Sequence, residues 1–384
     1  MIARVSLLVP GLCRGGMTRA YMLAGALRTI GVRAEIVGAL PEGERVYPDP
    51  PKGLVLHSFP ERSCAERVLD VQDRAQGDAL YAVKVRASTF GVALLIRRGR
   101  PLIVDADDWE PSFPGRAPRG SWPRRSRRRV RAFANPDHPR YSRWMESLLP
   151  RADAVTANTR FLAERYGAAY VPSGKDTALF DPARHDADEA RRALGLEGFR
   201  VVMFPGTVRE HKGVDDVAAA LDILGWDDAR LVIVGGREAG DHLAREIAAR
   251  HPRRVVRLGH FGANEMPGVV AAAHVVVAPQ RDTPAAHAQF PMKLTDAMAM
   301  AKPIVTTRVG DIPEMLDGAA WLVNPSSPRE IADALAAVFA DPAEAARRGA
   351  LARQRCIERA SLASIGQVLR GVLTAAERPR STRG

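Results

Sequence analysis

VVMFPGTVREHKGVDDVAAAL, residues 201–221, sets the reading of the whole chain. Its first four residues are uniformly apolar, the length and character of a buried strand. GTVREHKG, from Gly206 to Gly213, is a glycine-bounded loop, and an amphipathic helix follows from about 214 to 224. Strand, glycine loop and helix form the repeating unit of a parallel α/β sheet. Backbone amides at a helix start attract anions, and Arg209 and Lys212 add two cations of different geometry. A diphosphate is the natural guest; the alternative is a pair of solvated charges on a turn.

The same alternation extends in both directions. Strands are expected at 231–234, 255–258, 275–278 and 304–307, with helices at 266–273, 292–300 and 330–339 and mostly helical chain over 343–376. Upstream, strands are expected at 5–9, 32–37, 54–58, 79–83, 102–105 and 154–157. A loop with Gly11, Gly15 and Gly16 leads into a helix over 18–30. The chain therefore reads as two Rossmann-like domains. The first covers 1–172, with a basic loop at 116–131. A linker spans 173–200, the second Rossmann-like domain 201–350, and a C-terminal helix and frayed tail 351–384, with the helix expected to pack back on the first domain. Open α/β sheets bind ligands at their carboxyl ends, so a central cleft between the domains is expected.

At 384 residues, 46% hydrophobic and 26% charged, the chain has the composition of a folded globular protein. No apolar run approaches the ~20 residues of a membrane span. The opening MIARVSLLVPG reads as a strand entering a loop rather than a signal peptide. Three scattered cysteines, Cys13, Cys64 and Cys356, suggest neither a disulfide framework nor a metal cluster, and a cytoplasmic setting fits best. The net charge of +12 is concentrated in RAPRGSWPRRSRRRVR, 116–131, with eight arginines and no acid. The rest of the chain is only mildly basic, which argues against a nucleic-acid partner.

A second segment carries chemistry. In QFPMKLTDAMAMAKPIV, 289–305, a turn at Gln289 precedes a helix on which Lys293 and Asp296 lie three apart, on one face near its positive end. There a carboxylate can accept two hydrogen bonds from a ribose diol while the lysine meets phosphate. The alternative is an ordinary exposed Lys–Asp pair.

Together these segments resemble the C-terminal domain of retaining GT-B glycosyltransferases of family 4. VVMFPGTVREHKGVDDVAAAL resembles the family's diphosphate-binding glycine and Arg-to-Lys cluster. AQFPMKLTDAMAMAKPIVTTRVGDIPEML resembles its E-x7-E motif. LVIVGG and VRLGHFGANEMPGVVAAAHVVVAPQ resemble the intervening strands and the nucleobase loop, which implies roles for His260, Phe261 and Met266. PGLCRGGMTRAYMLAGALRTIGVRAEIV resembles the glycine-loop-helix opening, with Gly15 and Gly16 on the diphosphate. VTANTRFLAERYG and VPSGKDTALFDP resemble the interdomain passage usually written vipnGvDtelFxP.

The chain departs from the family's pattern at defined positions. Ala288 stands in the place of the first motif glutamate, and Asp296 in that of the second. Asp282, His287 and Gln289 are then the candidates for contacting the donor sugar. Thr207 occupies the usual arginine position, with Arg209 as its substitute. In VDADDWE, 104–110, Asp107 stands where the family carries a histidine, followed by Asp108 and Glu110. An acidic acceptor pocket is the reading there, with Asp107 catalytic and Asp108, Lys84 and Arg86 beside the acceptor. Alternatives are a carboxylate cluster that stabilises a helix start and, for Lys84 and Arg86, plain surface charge.

The resemblance implies transfer of a sugar from a nucleoside diphosphate sugar, UDP by default and GDP next, to an acceptor hydroxyl with retention. Arg209, Lys212 and the Gly15–Gly16 loop would stabilise the leaving diphosphate. No metal or other cofactor is expected. The acceptor reads as a small amino-polyol or natural-product-like alcohol; the alternative is an envelope glycan or glycolipid. For 116–131 the readings are a loop without a partner, peripheral contact with an anionic membrane helped by Trp109, Phe113 and Trp122, and nucleic acid. An NAD-dependent oxidoreductase is disfavoured because no G-x-G-x-x-G follows the first strand, and a phosphorylase because no phosphate or pyridoxal phosphate pocket is evident. A non-catalytic nucleotide-sugar-binding protein stays open because of Ala288.

Overall fold

The computed structural model describes residues 2–13, 15–61, 63–112, 137–235 and 241–378; the arginine run at 116–131, with Phe113 and Trp122, lies outside them. The chain divides into two compact units. One comprises Met1–Pro172 together with Ile365–Gly384, the other Ser173–Ser364.

The first unit is built on seven strands: β1 (Arg4–Val9), β2 (Arg33–Ala39), β3 (Val55–Phe59), β4 (Ala79–Val83), β5 (Leu102–Ala106), β6 (Ala154–Ala157) and β7 (Ala169–Tyr170). They lie in the order β3-β2-β1-β4-β5-β6-β7, all parallel. Leu7 pairs with Ile36 on one side and Tyr81 on the other. Every residue of β4 and β5 is buried, as expected of a parallel sheet covered on both faces. The last helix, Leu362–Glu377, rests on helix Met17–Thr29. The approach is close: a Cβ on Gly366 would stand 2.3 Å from Thr29 Oγ1.

The second unit has six parallel strands: β8 (Arg200–Pro205), β9 (Ala229–Val234), β10 (Val255–Leu258), β11 (Val275–Ala278), β12 (Ile304–Thr307) and β13 (Trp321–Val323). Their order is β10-β9-β8-β11-β12-β13. Met203, Val232, Leu294 and Met298 pack on one face, and Phe204, Ile233, Leu221 and Leu335 on the other.

Two boundaries differ from those read in the sequence. Residues 173–200 are no bare linker: they include helix Ala187–Ala193, and Phe180 and Leu196 are buried in the second unit's core. The helical run 343–376 breaks at Ser361 into Pro342–Ala360 and Leu362–Glu377. The chain passes back to the first unit only at Ser364. Strands β7 and β13 have two and three residues, too short to show a period in sequence.

Each strand order reverses once, between β1 and β4 in the first sheet and between β8 and β11 in the second. At such a switch point the connections leave in opposite directions, opening a crevice beyond the carboxyl ends of the strands. The loop after β1 holds Gly15 and Gly16, and Lys84 follows β4. GTVREHKG follows β8, and Gln280 to Asp282 follow β11.

Candidate active site

In the second unit the crevice is built around a lysine. Gly206 leaves β8 with φ +155, where a side chain would be strained, and a Cβ there would stand 3.4 Å from Lys293 Cε. A Cβ on Gly235, at the end of β9, would stand 3.9 Å from Gly206 Cα. Lys293 projects from helix Met292–Ala299, is 6% exposed, and holds its ammonium 4.4 Å from the centre of the Phe204 ring. Its ammonium makes no hydrogen bond or salt bridge with the described residues. Burial pushes its pKa well below that of an ordinary lysine, neighbouring Lys212 adds to the effect, and Asp296 partly offsets it. An anion arriving at Gly206 would give this group the partner it lacks.

Lys212 stands on the turn Glu210–Lys212 and donates to the Thr207 carbonyl at 2.9 Å. Arg209 is exposed and reaches no side-chain partner among the described residues. The loop is fixed from beneath. Gly213 has φ +57, and a Cβ there would lie 2.2 Å from the Pro279 carbonyl oxygen. The Arg281 amide donates to the His211 carbonyl at 2.9 Å, and its guanidinium pairs with Asp215 at 2.7 Å. The loops after β8 and β11 are thereby tied together.

Asp296 shares the helix with Lys293 and is ion-paired with Lys175, a residue the sequence reading passed over as linker. Asp282 and His287 bond to one another at 2.7 Å, and Gln289 is half-buried. Ala288, in the place of the expected acid, is 1% exposed and part of the packed interior. Phe261 and Met266 lie against the core, whereas His260 is exposed.

In the first unit, Lys84 comes off β4 with φ +75, an uncommon conformation for a residue with a side chain. The turn is held by the Lys84 amide donating to the Asp105 carbonyl at 2.9 Å and by Thr89 Oγ1 donating to the Lys84 carbonyl at 2.8 Å. The buried ammonium pairs with Asp107 at 2.9 Å and with Asp108, and lies 3.8 Å from Glu110. Arg86 closes on Glu110 through two hydrogen bonds of 2.8 and 2.9 Å, with Asp137 at 3.8 Å. The four acceptor-side candidates, Lys84, Arg86, Asp107 and Asp108, thus form one network. Lys84 and Arg86 are not surface charges. The glycine loop packs onto this network, since a Cβ on Gly16, at φ +108, would stand 3.3 Å from Lys84 Cε. Gly15 has open space around it.

Burial pushes the Asp107 carboxyl up to about 7; Lys84 opposes that rise and Asp108 adds to it. The Asp107 carbonyl accepts from Asn158 Nδ2 at 2.8 Å. Beneath the network, Arg19 grips buried Asp105 through bonds of 2.9 and 2.8 Å and donates to the Val171 and Pro172 carbonyls. Trp109 is no free membrane anchor: its ring lies 5.5 Å from that of Phe161, with the Arg165 guanidinium 4.7 Å from its centre. Among the described residues no group of three or more His, Cys, Asp or Glu is arranged to hold a metal ion, and no helix is long and apolar enough to cross a membrane.

With this geometry, residues 199–341, from the start of β8 to the end of helix Pro328–Ala340, match the family model for glycosyl transferases group 1. This segment is a group 1 glycosyltransferase domain. The chain is 30% identical over 254 residues to alpha-maltose-1-phosphate synthase of Mycolicibacterium smegmatis, covering 59% of this chain and 64% of that one. It is also 30% identical over 199 residues to alpha-D-kanosaminyltransferase of Streptomyces kanamyceticus, covering 49% of this chain and 50% of the relative. The chain therefore spans between half and two thirds of these curated relatives. Among solved structures it resembles Anabaena HepE in complex with UDP and glucose, with a TM-score of 0.71 at 18% identity, covering 97% of this chain and 100% of HepE. The fold of the chain is GT-B.

Proposed function

We propose that this glycosyltransferase moves a sugar from a nucleoside diphosphate sugar, UDP-linked, to a hydroxyl of a small amino-polyol or natural-product-like acceptor, with retained anomeric configuration. The observation that carries the reading is Lys293, a buried lysine whose ammonium makes no hydrogen bond or salt bridge among the described residues, set beside Lys212 against the Gly206 turn at the β8–β11 switch point. A diphosphate supplies the missing charge, and the Asp296 carboxylate on the same helix suits the ribose diol. HepE was solved with UDP and glucose, which supports UDP as the nucleotide.

In the proposed reaction the bond between the anomeric carbon and the diphosphate oxygen breaks, and its electron pair stays with the diphosphate. The acceptor oxygen bonds to the same face of the carbon, and its proton passes to a diphosphate oxygen. Lys212, Lys293 and the exposed Arg209 offset the charge that builds on the leaving group. Asp282, His287 and Gln289 are the side chains proposed to meet the sugar. On the first unit Asp107 and Asp108 are proposed to orient the acceptor. An amino-bearing acceptor suits a network in which four carboxylates face two cations, and the kanosaminyltransferase likeness points the same way. Incubation with a panel of UDP- and GDP-sugars and aminocyclitol acceptors, followed by nucleotide release and product anomer, tests the proposal. Transfer with retention is expected; binding of donors without release or transfer across the panel would leave a non-catalytic sugar-nucleotide binder.

A further inference from the structure

Lys175 was legible only as part of a linker, yet its side chain ends inside the second unit. Its ammonium pairs with Asp296, both side chains being almost wholly covered, and stands 4.6 Å from the centre of the Phe180 ring. Its backbone is fixed as well: its amide donates to the Ala360 carbonyl at 2.8 Å, and its carbonyl accepts from the Leu362 amide at 3.2 Å. No other cation pairs with Asp296 among the described residues. The nearby Cys356 thiol is pushed up to about 12 by burial, so it brings no competing negative charge.

We propose that Lys175 is a positioning residue of the donor site, holding the Asp296 carboxylate in one orientation so that it accepts from both hydroxyls of the donor's ribose. The inference rests on the reading of Asp296 as the ribose contact. Its physical basis is reach. Aspartate is one methylene shorter than the glutamate of the family's motif, so its aim depends more on what holds it. Lys175 stands where the interdomain passage of that pattern carries valine. A cation with a pinned backbone fixes one carboxylate geometry, and an oxygen aimed at the 2′-hydroxyl is left unsatisfied when that hydroxyl is missing. Such unmade hydrogen bonds to charged groups are what make a site discriminate.

The test compares dissociation constants for UDP and 2′-deoxy-UDP, and for GDP and 2′-deoxy-GDP, in the full chain and its variants. The wild type is expected to favour the ribonucleotide by roughly tenfold or more. Lys175→Met should bring that ratio close to one, as Asp296→Asn does, while Lys175→Arg keeps most of it. Lys293→Met should weaken both nucleotides alike and leave the ratio unchanged, which separates the ribose contact from the diphosphate contact. If Lys175→Met does not fold, Lys175→Gln, which keeps a polar tip and removes the charge, carries the same expectation. A wild-type ratio that survives in the neutral variants overturns the role of Lys175 while leaving the donor site standing. A wild type that binds none of the four nucleotides overturns the donor site itself, and this inference with it.

Discussion

The Lys293 ammonium lies 4.4 Å from the centre of the Phe204 ring, so the helix residue of one motif is seated on the strand residue of the other. The ring face attracts the cation but cannot replace a counter-ion. A buried lysine in this position costs the empty protein stability and makes it ready for an anion.

Lys293→Met should therefore act in opposite directions on folding and binding. The empty protein gains about 1 kcal/mol, since an isosteric apolar chain removes the cost of burying an unpaired charge. Nucleoside diphosphate affinity falls by at least about tenfold, the loss of one charge-assisted contact. Urea denaturation and titration calorimetry of the same preparations check both.

The lowered pKa of Lys293 fixes the sign of two pH effects. Between that value and the ordinary ~10.5 the folded chain holds fewer protons than the unfolded one, so this group's contribution to stability rises with pH across the window. A diphosphate favours the charged form, so binding takes up a proton and tightens as pH falls through the free-state value. Calorimetry in buffers of different ionisation enthalpy should show proton uptake that disappears in Lys293→Met.

Asp107 gives an opposite case in the first unit. Its pKa is raised above the unfolded value to about 7, so its contribution to stability is complete below the unfolded pKa and is lost as pH rises through 7. If the ionised form orients the acceptor, turnover rises over the same interval. Asp107→Asn should flatten that limb and lower kcat by roughly 100-fold, within the range for positioned acid–base groups. A pH–rate profile of the two proteins decides it.

Arg19 and Asp105 supply a structural contrast. Arg19→Leu leaves a buried carboxylate with Thr156 as its remaining side-chain donor and should destabilise the first unit by about 3–5 kcal/mol, the usual cost of breaking a buried pair. Nucleotide affinity of the protein that remains folded should be unchanged, as measured by calorimetry below the unfolding transition.

The parallel sheets were legible because most of their strands are short, largely apolar runs, and β4, β6, β10, β11 and β12 fall where the residue pattern puts them. Gly206, Lys212 and Lys293 could be named because glycine spacing and helix register are local properties. What stayed hidden depends on contacts between distant segments. Nothing near Lys175 announces that its partner is Asp296, and nothing in VDADDWE tells that Lys84 and Arg86 have already taken up its acids. Arg209 carries as strong a sequence signal as Lys212, yet its side chain stands exposed while the burial goes to Lys293. Charge is visible in a sequence, whereas desolvation is a property of the fold.

The central claim is that a diphosphate binds at the Gly206 turn between Lys212 and Lys293. Titration calorimetry of UDP and GDP into wild type and the Lys212→Met/Lys293→Met double variant tests it most directly. Saturable binding by the wild type, weakened at least about 100-fold in a double variant that still unfolds cooperatively, is the predicted result. Equal affinity in the two proteins, or no binding of any nucleoside diphosphate to the wild type, would contradict it.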